Sequence, residues 1–219
     1  TGSDNVALGD TALDDGSLSG GNNTAIGSGA LTANTSGSSN TAVGHLSLDA
    51  VTTGSGNTGL GRTSGSSLTT GDDNTYIGYQ CNAVGVSGDS NVGVGVNSLY
   101  NNTAANNVAV GGNAMFANTS GTANVAVGRY SLDANTSADY NTAVGYQALT
   151  ANTTGASNVA IGKSALAANT TASNNIAIGL NAGDAITTSP SNTLVGHNAG
   201  SAISTGNGEN VVIGNNAGA

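Results

Sequence analysis

The sequence predicts an all-β chain, a parallel β-solenoid (β-roll) of about thirteen coils with a 17-residue repeat. Three observations carry this. A pentapeptide of Asn, then Thr/Val/Ile, then usually Ala, then an aliphatic residue, then Gly begins at Asn5, Asn23, Asn40, Asn57, Asn74, Asn91, Asn107, Asn124, Asn141, Asn158, Asn175, Asn192 and Asn210. The intervals are 17 residues in nine of twelve cases, 16 once and 18 twice, which sets a period too short for a helix pair. The composition is that of tightly stacked strands: 35 Gly in 219 residues, no Trp, and an apolar share carried by small or β-branched side chains.

Positions are numbered from the repeat Asn. Position 2 is always β-branched, from Val6 to Val211, and position 4 is always Leu, Ile or Val, from Leu8 to Ile213. Side chains alternate along a strand, so these two share a face, and their branched apolar character marks that face as the buried one. Positions 1, 3 and 5 share the other face as Asn, mostly Ala, and Gly. Small and uncharged, that face is free to pack on something else, and a second copy of the chain is the natural cover. The Gly of position 5 lets the backbone turn or approach its neighbour closely.

Position 8 is always small (Ala, Ser or Cys81), and position 9 is usually Leu, with Met115 once. These two are expected in a second short strand. The remainder, often Ala-Asn-Thr-Ser/Thr-Gly as at Ala33 to Gly37 and Ala151 to Gly155, reads as a turn. Asn there tolerates left-handed backbone, and Asn and Thr side chains can bond their own main chain. Where position 9 is Gly, at Gly65, Gly183 and Gly200, an aliphatic residue stands three places later, at Leu68, Ile186 and Ile203. Asn82 breaks this rule, and Val84 is the expected substitute. The whole of 1–219 reads as a single solenoid domain, rising about 4.8 Å per coil for a total of roughly 60 Å. A core of Ala, Val and one Leu per coil is thin, which favours oligomerisation.

Asn141-Thr-Ala-Val-Gly-Tyr-Gln-Ala-Leu149, Asn158-Val-Ala-Ile-Gly-Lys-Ser-Ala-Leu166 and Asn23-Thr-Ala-Ile-Gly27 resemble the head repeats of YadA-type trimeric autotransporter adhesins. They also resemble repeats of bacteriophage tail-fibre proteins and related secreted fibre proteins. The resemblance implies a left-handed roll, a parallel homotrimer, and a structural or adhesive fibre section that projects or forms a receptor-binding surface. It implies a location outside the cell, on a cell surface or a virion.

Twelve acids against three bases give a net charge of −9, which disfavours nucleic acid. No apolar run is long enough to span a membrane, so no membrane insertion is expected of this segment. There is no signal peptide, and the start at Thr1 suggests a processed chain or a fragment. Neither end reads as capped, so end-to-end self-association into a filament is the alternative architecture.

Enzyme signals are absent, and no catalytic residue, cofactor site or metal site is assigned. His45 and His197 share position 6 but lie nine coils apart, roughly 43 Å at the strand spacing, too far for one site. Asp14-Asp15 and Asp72-Asp73 read as solvated turn carboxylates, a loose Ca²⁺ site being the other reading. Cys81 reads as a packed thiol. The Asn-x-Ser/Thr sequons at Asn34, Asn118, Asn135, Asn152 and Asn169 read as turn chemistry.

The candidate surface contacts, to a cell-surface receptor or glycan, are aromatic. Tyr79 and Tyr146 stand at position 6, Tyr130 at position 7, and Tyr100 and Phe116 at position 10. A ligand-binding solenoid, ice binding included, is a further reading, because position 2 is Thr in six coils. Burial of that face counts against it. A polysaccharide enzyme would need a carboxylate site between chains, and no residues name one.

Overall fold

The computed structural model describes residues 2–218. Chain contacts divide it into two compact units, 1–107 and 108–219. The first holds six three-residue strands: β1 (Val6–Leu8), β2 (Thr24–Ile26), β3 (Thr41–Val43), β4 (Thr58–Leu60), β5 (Thr75–Ile77) and β6 (Val92–Val94). The second holds seven: β7 (Val108–Val110), β8 (Val125–Val127), β9 (Thr142–Val144), β10 (Val159–Ile161), β11 (Ile176–Ile178), β12 (Thr193–Val195) and β13 (Val211–Ile213). Within each unit every strand pairs in parallel with the next, like position on like position, as Ala25 on Ala42 and Ala143 on Ala160. A period of one coil brings the chain back to the same register, so each unit is a parallel β-solenoid.

The repeat forms one strand per coil, not two. Positions 8 and 9 lie in a turn. The position-8 amide bonds the carbonyl of position 5, as Ala148 N to Gly145 O (3.3 Å), and position 9 has left-handed backbone, as Leu149 at φ 52°. A left-handed Leu costs about 1–2 kcal/mol. Burying its side chain fully is worth about 1.5–3 kcal/mol, and Leu31, Leu132, Leu149 and Leu166 are all fully buried. The apolar knob therefore outweighs the backbone strain. The left-handed positions are 7, 9 and 17, so Asn34 and its equivalents at position 12 do not use the left-handed tolerance expected of them.

The two strand faces are reversed from expectation. Position 3 points inward, with Ala25, Ala42, Ala109, Ala126, Ala143, Ala160 and Ala177 fully buried, and so does the Asn of position 1. Positions 2 and 4 point outward and are half-buried or exposed. The reason is bore. The coil is so narrow that a methyl group at position 3 already meets the opposite wall. A Cβ added to Gly59 would lie 2.6 Å from Ser47 Oγ and 2.8 Å from Leu48 Cγ. Larger side chains fit at position 3 only where neighbouring glycines open the bore, as at Leu194 and Tyr76; elsewhere the branched side chains serve the strand from outside, where they favour extended backbone.

The interior is a volume-balanced set of positions 3, 8, 9, 12 and 15. Where position 9 is Gly183, its missing side chain makes room for Leu194 of the next coil: a Cβ there would lie 2.5 Å from Leu194 Cδ1. Ile186 at position 12 is buried beside it, as the sequence rule requires. At Asn82 the substitute is not Val84, which is exposed, but Tyr76 at position 3, the largest fully buried side chain of the chain. Gly65 and Gly93 open the space around it. A Cβ on Gly65 would sit 3.0 Å from Tyr76 Cδ2, and one on Gly93 3.3 Å from Tyr76 Cδ1. The Asn82 amide, turned to satisfy both of its atoms, accepts from the Tyr76 hydroxyl at 2.9 Å and donates to Leu99 O at 3.1 Å. Burial raises the Tyr76 phenol far above its ordinary range, so it stays a neutral donor.

Two asparagine ladders run through the interior. At position 1, the Asn Oδ1 accepts the main-chain N–H of the next coil's Asn, as Asn141 Oδ1 from Asn158 N (2.9 Å), and in most coils its Nδ2 donates to the position-15 carbonyl of its own coil, as Asn141 to Gly155 (2.9 Å); Asn175 Nδ2 has no partner, and Asn192 Nδ2 turns to Ser189 O of the preceding coil (3.0 Å). At position 12, Asn135 Nδ2 donates to Asn118 Oδ1 (2.7 Å), Asn152 to Asn135 (3.2 Å) and Asn169 to Asn152 (2.8 Å). The second ladder stops where Ile186 replaces Asn, and Asn169 Oδ1 is left buried without a partner. An outer Thr file adds a third line: Thr136 Oγ1 donates to Thr153 O (3.2 Å) and Thr153 Oγ1 to Thr170 O (3.0 Å).

Candidate functional surface

Neither unit encloses a pocket among the described residues, so the candidates are surface features. Three are built by the repeat.

The first is the outward strand face. Positions 2 and 4 present two parallel files, one of Thr and Val with Ile176, one of Val, Ile and Leu. Ile26, Leu60, Val127, Ile161, Ile176 and Ile178 are each 36–46% exposed, large for aliphatic side chains in the middle of a sheet. The files carry no charge. A contiguous apolar face of this kind marks an interaction surface.

The second is the edge at positions 6 and 7, where the turn of Gly at position 5 throws side chains outward. All three bases of the chain stand at position 6, Arg62, Arg129 and Lys163, together with both histidines and the expected Tyr79 and Tyr146. In the first unit the Arg62 guanidinium lies 5.6 Å from the Tyr79 ring centre. In the second, Arg129 stacks on Tyr130 at 4.5 Å and donates to its hydroxyl at 2.8 Å. Tyr130 meets Tyr146 edge to face, centroids 6.3 Å apart. Of the five expected aromatic contacts, the structure thus joins Tyr130 and Tyr146, gives Tyr79 an arginine, and places Tyr100 and Phe116 elsewhere, half-buried at position 10. Tyr140, the most exposed tyrosine, lies at position 17 and is not among those five. The arginines were missed in the sequence, although their shared register was readable there.

The third is the acidic turns. Asp72 Oδ1 accepts from Ser55 N (2.7 Å), and Asp89 Oδ1 from Asp72 N (2.9 Å). These carboxylates cap the main chain of the preceding coil, as Ser38 and Ser55 do at the same position. Asp15 accepts from the Ser17 hydroxyl and amide, which lower its pKa. No three His, Cys, Asp or Glu side chains among the described residues gather around a possible ion. Cys81 is fully buried, its thiol pushed up to about 12 chiefly by desolvation. Asn34, Asn118, Asn135, Asn152 and Asn169 are fully buried too, so the sequons are closed to modification in the folded chain.

Asp49 and Asp133 share position 10, and burial raises both carboxyls; at Asp49 its own main-chain hydrogen bond and His45 oppose this. Asp49 Oδ1 has no hydrogen-bond partner. A carboxyl raised on folding binds its proton more tightly in the folded state. Its stabilising contribution is complete below the ordinary carboxylate range and is lost as pH rises through the raised value. Asp49→Asn should therefore melt above the wild type at neutral pH, and the gap should close near pH ~3. Parallel thermal melts across that range check it; a gap independent of pH would contradict the assignment.

The fold defines the class: a parallel β-solenoid of 17-residue coils with asparagine ladders inside and an apolar file outside. No protein-family model, curated protein or solved structure matches the chain.

Proposed function

We propose that this chain is a non-enzymatic section of a structural, adhesive extracellular fibre, borne on a cell surface or a virion and assembled as a parallel homotrimer. The observation that supports this reading best is the outward file of positions 2 and 4. It is uncharged, mostly apolar and half-uncovered along each unit. A second copy has the same period, so its ranks match one for one, and burying the files recovers about 25 cal/mol per Å². The cover is thus on the face opposite to the one the sequence suggested. The trimer number rests on the resemblance to adhesin-head and tail-fibre repeats.

The native mass tests it. Three chains per particle is the expected result. A stable single chain would overturn the homotrimer, and a mass far above three with periodic filaments would favour end-to-end assembly instead.

One observation favours a second reading. The Thr of position 2 in six coils is not buried, so an ordered Thr/Val and Val/Ile lattice faces solvent in the single chain. Such a face suits an ice-binding solenoid. A monomeric native mass together with freezing hysteresis would establish that reading in place of the first.

A further inference from the structure

The edge of the second unit at positions 6 and 7 joins charge and aromatic surface in a way the stacking does not require. Arg129, Tyr146 and Lys163 stand on three successive coils and are exposed. Successive coils are about 4.8 Å apart, so the three side chains span about 10 Å along the stack. Arg129 is held in place by its stacking on Tyr130 and by its hydrogen bond to the Tyr130 hydroxyl. Tyr130 in turn braces Tyr146 edge to face. No acid occupies position 6 or 7 anywhere in this unit; its four acids, Asp133, Asp139, Asp184 and Glu209, lie on other turns. Both of the unit's bases are therefore on one edge, unneutralised there, with an exposed ring between them.

We propose that this edge is a subsite for a linear acidic polysaccharide of the polyuronate type. Carboxylates of the glycan pair with Arg129 and Lys163, and the intervening sugar ring lies on Tyr146. A sugar ring is about as long as one coil's rise, so alternate carboxylates fall on alternate coils. The charge pattern selects this ligand over nucleic acid. Two cations on a chain of net charge −9 do not neutralise a duplex with one charge per about 1.7 Å, whereas a sparse polyanion with apolar ring faces fits. The subsite gives the ligand class for the adhesive part of the reading above and rests on it. It does not depend on the trimer, which the native mass decides separately.

The test is retention of the purified full chain on immobilised polygalacturonate at low ionic strength, beside an uncharged dextran matrix and immobilised duplex DNA. Retention on polygalacturonate alone is expected. Arg129→Gln with Lys163→Gln should weaken it roughly two- to thirtyfold, two exposed charge contacts being worth about 0.2–1 kcal/mol each. Tyr146→Ala, which leaves the charge intact, should weaken it by a similar factor. All three side chains are exposed, so the variants should melt with the wild type. Absence of wild-type retention, equal retention of the variants, or equal retention on DNA would each overturn the subsite.

Discussion

Gly145→Ala should unfold the second unit at a markedly lower temperature, with a loss of about 3 kcal/mol or more. Two independent terms add. Gly145 has φ +140°, a region essentially reserved for glycine, at about 1–3 kcal/mol for another residue. A Cβ there would also lie 2.4 Å from Gly162 O and 2.6 Å from Gly162 C, main-chain atoms of the next coil that have no rotamer to yield. Neither coil can shift without lengthening the ladder bond from Gly162 N to Val144 O, now 2.8 Å. For a chain of this size each kcal/mol moves the melting point by about 2–4 °C, so a fall of about 6–12 °C or more is expected. Gly16→Ala is the control: its φ is not positive and a Cβ there meets nothing within 4 Å. It should stay within about 0.5 kcal/mol of the wild type. A Gly145→Ala melt within about 2 °C of the wild type would mean that the coils are not packed at this distance.

The same glycine shows what was legible. Its recurrence at position 5 gave the close approach correctly, because only a backbone constraint keeps one residue type through thirteen coils. The repeat, the parallel stacking and the small position 8 were legible for the same reason. The direction of the strand was not. Branched aliphatics ordinarily mark the core, and alternation alone says that two faces differ, not which one is inside. What decides is the bore of the coil, and that is a property of the closed turn. The closed turn depends on left-handed Leu149 and Gln147, which no propensity rule assigns to such residues. Tyr76 carried a readable signal that was overlooked: Gly59 and Gly93 replace the usual Ala of position 3 on either side of it, leaving room that an outward tyrosine would not need. The cationic edge was readable too, since Arg62, Arg129 and Lys163 share one register with His45 and His197. The Asn of position 12 was masked by its sequon and by its suitability for turns. Its burial is visible only when the next coil is in place to receive its amide.

Asn158→Ala should be as damaging as the glycine substitution, for a different reason. Asn158 is fully buried, and its side chain makes three bonds. Oδ1 accepts from Asn175 N at 2.9 Å, and Nδ2 donates to Ala172 O at 2.8 Å and to Asn141 Oδ1 at 3.2 Å. Alanine keeps the strand but strands the Asn175 amide in a dry interior, while the Ala172 carbonyl keeps only its bond from Asn169 Nδ2 at 3.1 Å. The orphaned amide costs about 1–3 kcal/mol and the two lost Nδ2 bonds about 0.5–1.5 kcal/mol each, so a loss of about 2–6 kcal/mol is expected from unfolding melts. Asn158→Asp separates shape from hydrogen bonding. Its carboxylate can still accept from Asn175 N, but its second oxygen faces Ala172 O and must either repel it or carry a proton. Burial then raises its folded pKa, so its stability should be near that of the wild type at low pH, where the protonated oxygen donates to Ala172 O. That stability is lost as pH rises through the raised value. If Asn158→Ala melts with the wild type, or Asn158→Asp shows no recovery on acidification, the ladder is a passenger of the fold. If both behave as expected, the buried asparagines hold the register of coil on coil, because an apolar residue at position 1 would permit a slip that two hydrogen-bonded amides do not.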